Sequence, residues 1–178
     1  MDDIVKAALK KWPNVPHCYR WLALDARGDW YMRDERIQHA GPFPQVKGSR
    51  IEHEKLREFI ERNYEADGQG HWFFQNGPQR VYVQLEAAPW VWRVQWHGAT
   101  PSVTSHTGRA AEVQSVWLDE AGRLFLGTDI GFGIVHTQDV LDAAQAVEQG
   151  LWVPEPLKFA QAPQRFGYTL DPQPADRA

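Results

Sequence analysis

Three times the chain places an aspartate, a glycine three residues on, one polar residue and then three apolar ones. The copies are Asp25-Ala-Arg-Gly28-Asp29-Trp30-Tyr31-Met32, Asp67-Gly-Gln-Gly70-His71-Trp72-Phe73-Phe74 and Asp119-Glu-Ala-Gly122-Arg123-Leu124-Phe125-Leu126. An aspartate that opens a four-residue turn accepts hydrogen bonds from its own backbone, and a glycine at the fourth position takes the left-handed conformation of a bulged hairpin. Each copy therefore predicts the start of a strand, and the chain reads as a sheet protein. The turns are scaffold signals and carry no chemistry of their own.

A chain of 178 residues is long enough to bury roughly 70% of the surface its unfolded form exposes, so neither disulfide nor metal staple is required. One globular domain is expected over 1–170, with a frayed tail over 171–178. Nine tryptophans, several times the usual share, place indole rings in the core or at a site. A net charge of -4 without a dominant basic run argues against nucleic acid. The single cysteine, Cys18, excludes an internal disulfide and suits a reducing compartment. An acidic start and the absence of a long apolar run give the expectation of a cytoplasmic protein away from membranes.

Along the chain, Asp2 and Asp3 open a first helix whose stripe is Ile4, Val5, Ala8, Leu9 and Trp12, ended by Pro13. Residues 17–24 and 29–33 read as a hairpin, and 40–48 as a loop. Ser49 and Glu52 form a capping box for a helix to about residue 65. A meander is expected next, with strands near 71–75, 80–86 and 90–97, followed by a loop over 98–112 and three strands near 113–118, 123–128 and 132–136. A last helix from Thr137 to Gly150 would bury Val140, Leu141, Ala144 and Val147, and Phe159, Phe166 and Tyr168 would pin the proline-rich remainder. The predicted class is α+β, a largely antiparallel twisted sheet of about eight strands in hairpins and a meander, with three helices. The aspartate turns, at positions 25, 67 and 119, are too unevenly spaced for a strict repeat array, although Trp21-Leu22-Ala-Leu24-Asp25 and Val116-Trp117-Leu118-Asp119 admit an old duplication.

The opening Lys11-Trp12-Pro13-Asn14-Val15-Pro16-His17-Cys18-Tyr19-Arg20-Trp21-Leu22 and the segment Phe74-Gln75-Asn76-Gly77-Pro78-Gln79-Arg80-Val81-Tyr82-Val83 resemble an uncharacterised Gram-negative bacterial protein family, over most of residues 1–86. The resemblance implies a bacterial cytoplasmic origin. It brings no activity, cofactor or site residue.

Alternation fixes the meander's register, because a one-residue slip turns every side chain to the wrong face. Pairing Phe74 with Val81 and Trp72 with Val83, then Val83 with Trp92 and Val81 with Val94, gathers the apolar residues on one face. The other face then carries three rows: His71, Gln84 and Arg93; Phe73, Tyr82 and Gln95; Gln75, Arg80 and His97. Two arginines and two histidines there suit a carboxylate, a phosphate or an acidic peptide. The candidate ligand-binding set is His71, Arg80, Tyr82, Gln84, Arg93, Gln95 and His97. The plainer reading is the solvated face that any half-buried sheet shows to water. Trp90, Trp92 and Trp96 share parity with the apolar set and read as core, against an exposed stacking platform.

Enzyme signatures are absent from the pattern. His17 and Cys18 are strand neighbours pointing to opposite faces, so they cannot share a proton. The seven histidines show no i, i+4 pair, so no metal is assigned. Gly127, Gly131 and Gly133 run into a strand, not into the helix that a phosphate loop opens. No cofactor is expected. The sequence supports a non-catalytic binding or interaction module with an unidentified small anionic ligand or protein partner, and a homodimer through edge strands stays open; the alternative is a small hydrolase or transferase without a recognisable motif.

Overall fold

The computed structural model describes residues 1–175, which form thirteen strands and five α-helices arranged as two mixed sheets. The chain divides into two compact units. The first comprises Met1–Asp25, Asp29–Glu86 and the described residues from Tyr168 onward, and the second Ala26–Gly28 and Ala87–Gly167.

Unit 1 runs α1 (Asp3–Lys11), β1 (Cys18–Leu24), β2 (Trp30–Met32), α2 (Glu35–Ala40), β3 (Ser49–Arg50), α3 (Glu54–Arg62), β4 (Tyr64–Ala66), β5 (Trp72–Asn76) and β6 (Gln79–Leu85). Its sheet has the order β3-β2-β1-β6-β5-β4, antiparallel throughout except for the central parallel pair β1 and β6. Unit 2 runs β7 (Trp90–His97), β8 (Thr100–Ser105), β9 (Ala110–Ala111), β10 (Val113–Asp119), β11 (Leu124–Thr128), β12 (Gly131–Val135), α4 (Val140–Glu148), β13 (Glu155–Leu157) and α5 (Ala162–Phe166). Its order is β13-β10-β11-β12-β7-β8-β9, with parallel pairs β12–β7 and β10–β13.

The aspartate turns form for the expected reason. Asp67 Oδ1 accepts from the amides of Gln69 and His71 at 2.8 and 2.9 Å, and Asp119 Oδ1 from those of Ala121 and Arg123 at 3.0 and 2.8 Å. Gly70 and Gly122 sit at φ of 80° and 77°, where a Cβ would be strained.

Two mixed sheets replace the single antiparallel one, and five helices replace three. The meander breaks after its first hairpin. Phe74 pairs with Val81 as alternation requires, but β6 turns to β1, and β7 pairs with β8 and β12. The connection Ala87-Ala88-Pro89 has none of the glycine, asparagine or aspartate a tight hairpin needs. Moreover, residues 81–85 are buried without alternation, the pattern of a central strand beside a parallel neighbour. The capping box also fails. Ser49 enters β3 opposite Met32, and α3 opens later at His53, whose Nδ1 accepts from the Leu56 amide.

The two sheets share one topology. In each, two three-stranded meanders join through a parallel pair between the first strand of the first meander and the last strand of the second. A constant shift of 52 residues, as from Asp67 to Asp119, carries the register of β4, β5 and β6 onto β10, β11 and β12. Tyr64–Phe74 maps to Val116–Leu126, Phe73–Tyr82 to Phe125–Ile134, and Phe74–Val81 to Leu126–Gly133. Asp67 and Asp119 are therefore equivalent. The Asp25 turn joins β1 to β2 and has a different place, which corrects the duplication suggested by Trp21–Asp25 and Val116–Asp119.

Tryptophan goes mainly to the core. Trp30, Trp90 and Trp92 are among the largest fully buried side chains, and Trp96 is half-buried with its Nε1 donating to the Asp142 carbonyl at 3.0 Å. Phe159 and Phe166 stack on Phe125 and Phe132 within unit 2, while Tyr168 is buried in unit 1. Of the expected tail, residues 176–178 lie outside the described residues. Before them Pro172 is buried and Asp171 is ion-paired to Arg20.

Candidate functional site

The β5–β6 hairpin places Phe73 opposite Tyr82 and Gln75 opposite Arg80, so these four side chains leave the same face of the sheet. Tyr82 is buried and is the hub. Its hydroxyl donates to Asp67 Oδ2 at 3.1 Å and accepts from Arg80 Nη1 at 3.3 Å. Tyr19 lies flat on its ring, with centroids 4.9 Å apart and planes 12° apart. His17 and His71 meet the ring edge-on at 5.7 and 6.0 Å. The Arg80 guanidinium lies 3.9 Å from the centre of the Phe73 ring, which fixes its plane.

Asp67 sets the polarity of the cluster. Burial acts to raise its pKa, but the amides of His71 and Gln69, the Tyr82 hydroxyl and the nearby His71 imidazole, 3.7 Å away, outweigh it and hold the carboxyl below its ordinary value. Burial is the main reason that the Tyr19 phenol is pushed up, with the negative charge of Asp67 acting in the same direction. The Tyr19 phenol therefore stays neutral beside the Tyr82 ring.

Of the seven residues expected at a site, His71, Arg80 and Tyr82 come together here. Gln84 shares their face but is engaged. It accepts from Arg33 Nη1 at 3.1 Å and donates to Asp171 Oδ1 at 3.1 Å, in a clasp that Arg20 completes through Asp171. Arg93, Gln95 and His97 lie on β7, in the sheet of unit 2, because β7 never pairs with β6. Arg93 binds Asp139 with Nε–Oδ2 at 2.7 Å and Nη2–Oδ1 at 3.2 Å, whereas Gln95 and His97 are exposed. His17 and Tyr19 escaped the sequence reading, because the parallel pairing Cys18–Val81 that delivers them leaves no local signal.

On the other face of the sheet, Cys18 points away from His17 and burial pushes its thiol up, opposite to what a thiolate nucleophile needs. Among the described residues no three His, Cys, Asp or Glu side chains gather closely enough to hold a metal ion, and no helix is long and apolar enough to cross a membrane.

Residues 1–173 match the model of a family described as Protein of unknown function (DUF2946). The chain belongs to that family. The match extends well beyond residue 86, through both units. No curated protein and no solved structure matches the chain.

Proposed function

We propose that the chain is a non-catalytic binding module that holds an anionic ligand, a carboxylate or an acidic peptide, against Arg80 and the side chains grouped around Tyr82. The observation that carries this reading is the contrast between the two equivalent hairpins. Arg80 and Tyr82 stand where β12 has Phe132 and Ile134. There the face closes with apolar rings, Phe132 stacking on Phe166 at 3.9 Å. The framework thus needs no guanidinium or phenol at these positions, and polar groups in a half-buried place cost free energy unless they are satisfied.

Arg80 is oriented but not consumed. Among the described residues its contacts are the Tyr82 hydroxyl and the two rings, and no carboxylate lies within ion-pair distance. A guanidinium with a fixed plane and spare N–H groups is suited to bidentate carboxylate recognition. His17, Tyr19 and His71 surround the neighbouring Tyr82 ring and add further polar groups. Nothing in the placement of Cys18 favours the alternative of a hydrolase or transferase.

The test is calorimetric titration of an oligoglutamate peptide into wild type, Arg80→Ala and Arg80→Lys. Expected is binding to wild type that weakens about tenfold or more in Arg80→Ala, equivalent to about 1.4 kcal/mol, with a smaller loss in Arg80→Lys, which keeps the charge but not the fork. Equal affinity of wild type and Arg80→Ala, with both folded, would refute it.

A further inference from the structure

We infer that unit 1 carries a second site, on the sheet face opposite Tyr82: an apolar cavity that takes one flat aromatic molecule of about indole size. The cavity measures about 210 Å³ and lies between α3 and the sheet, walled by Leu56 and Ile60 on the helix and by Cys18, Leu22, Phe74 and Val81 beneath. Trp21, Met32 and Leu56 at its rim are partly exposed, so the cavity is an apolar recess open to solvent at one end. Dry apolar cavities of about 150 Å³ take benzene, and this one has room for a second ring.

The other half of the chain shows what fills the same place. Val81 and Val83 correspond to Gly133 and Val135 under the 52-residue shift. In unit 1 their parallel partners are Cys18 and Leu22, and in unit 2 they are Trp90 and Trp92. Those two indoles stack with centroids 6.1 Å apart and lie so close on the strand that a Cβ at Gly133 would stand 2.7 Å from Trp90 and 2.5 Å from Trp92. Their Nε1 groups donate to the carbonyls of Ile130 and Leu126. At the two matching positions one half thus carries indole rings, while the other carries a thiol and a leucine that line the open recess.

The strand above the cavity is also built irregularly. Between Cys18–Val81 and Leu22–Val83, β1 spends four steps against two of its partner, whereas β7 runs from Trp90 to Trp92 without a bulge. Inside that bulge Arg20 sits at φ 66°, the one positive φ outside glycine among the described residues, and its guanidinium is held by Asp171 at 2.9 Å. Bulges and strained residues of this kind gather beside binding sites. The bulge brings Trp21 to the mouth, where Trp21, Met32 and Leu56 remain 39%, 50% and 38% exposed. Three large apolar side chains around one opening make an apolar entrance. Asn76 is the one amide in the lining and the natural partner for a ring N–H.

Cys18 is the chain's single cysteine and lines the cavity, so its modification reports on that site alone. The experiment measures labelling of the native protein by N-ethylmaleimide with and without saturating indole, together with calorimetric titration of indole. Expected are a single binding event and labelling slowed fivefold or more. Leu56→Trp, at the half-exposed rim, should fill the mouth and abolish both effects. Arg80→Ala, on the opposite face, should retain both, which separates this inference from the anion site. An unchanged labelling rate with no heat of binding would overturn it, as would undiminished indole binding by folded Leu56→Trp.

Discussion

Tyr82 links one carboxylate and one guanidinium through a single hydroxyl, so its removal tests the cluster without disturbing the ring stack. Tyr82→Phe should leave the contact with Tyr19 in place and take from Asp67 one of the donors that hold its pKa down. The loss expected is about 1 kcal/mol, the net value of a hydrogen bond. The sign with pH follows from the depressed carboxyl. Asp67 contributes stability that is present above its unfolded pKa and lost as pH falls through its lower folded pKa. Urea midpoints of wild type and Tyr82→Phe should thus differ most near neutrality and converge in strong acid; a gap that widens in acid would contradict the assignment. At this scale the sequence was informative where the evidence was local. The Asn76-Gly77 turn and strict alternation were enough to bring His71, Arg80 and Tyr82 to one face. His17 and Tyr19 arrive by a parallel pairing some sixty residues away in sequence, which no local pattern encodes.

Between elements, side-chain clasps decide what periodicity leaves open. The last helix was expected to bury Val140, Leu141, Ala144 and Val147. It buries Ala143 and Ala146 instead, and Leu141 is 85% exposed. The rotation follows from Asp139, whose Oδ2 takes both Arg93 Nε and the Val94 amide and so fastens the start of α4 to β7. A hydrophobic stripe read from sequence cannot anticipate an ion pair reached across 46 residues. Burial acts to raise the Asp139 pKa, but the Arg93 hydrogen bonds and the Val94 amide prevail and hold it down. Asp139→Asn should cost about 2 kcal/mol, less than a fully buried pair, since Arg93 is half exposed and its Coulomb share is screened. Hydrogen exchange should show the loss in α4 and β7 first. The variant should also lose part of the acid sensitivity of unit 2, because a depressed carboxyl stabilises above its unfolded pKa and that contribution vanishes as pH falls through the folded one. An Asn variant with unaltered exchange in α4 would remove Asp139 as the anchor.

For the molecule as a whole, the two sheets share strand order, and β4, β5 and β6 match β10, β11 and β12 in register and turn position while their side chains differ, which explains why the sequence pointed to the wrong pair of segments. A tryptophan-bearing strand running into an aspartate turn is a local pattern that says nothing of which strands pair, and the strand entering the Asp67 turn, Tyr64–Ala66, lacks it. Only the pairing partners reveal that Asp67, not Asp25, answers to Asp119. The units are nevertheless interleaved in sequence, since unit 1 is completed by residues that follow unit 2. Leu170 accepts from the Leu85 amide, Asp171 holds both Arg20 and Gln84, and Tyr168 and Pro172 are buried. Ending the chain after Gly167 would keep every residue of unit 2 and strip these contacts from unit 1. Burial of one tyrosine contributes about 2 kcal/mol, and a Gln84 amide left unpaired beside the buried Arg33 costs about 1–3 kcal/mol more, so the truncation should lower the stability of unit 1 by roughly 3–5 kcal/mol. Hydrogen exchange resolved by segment should then show protection lost in β1, β5 and β6 and kept in β7, β11 and β12. Equal loss in both sheets would mean that the two units unfold as one, and full protection of β6 would mean that the segment after Gly167 contributes nothing to the centre of that sheet.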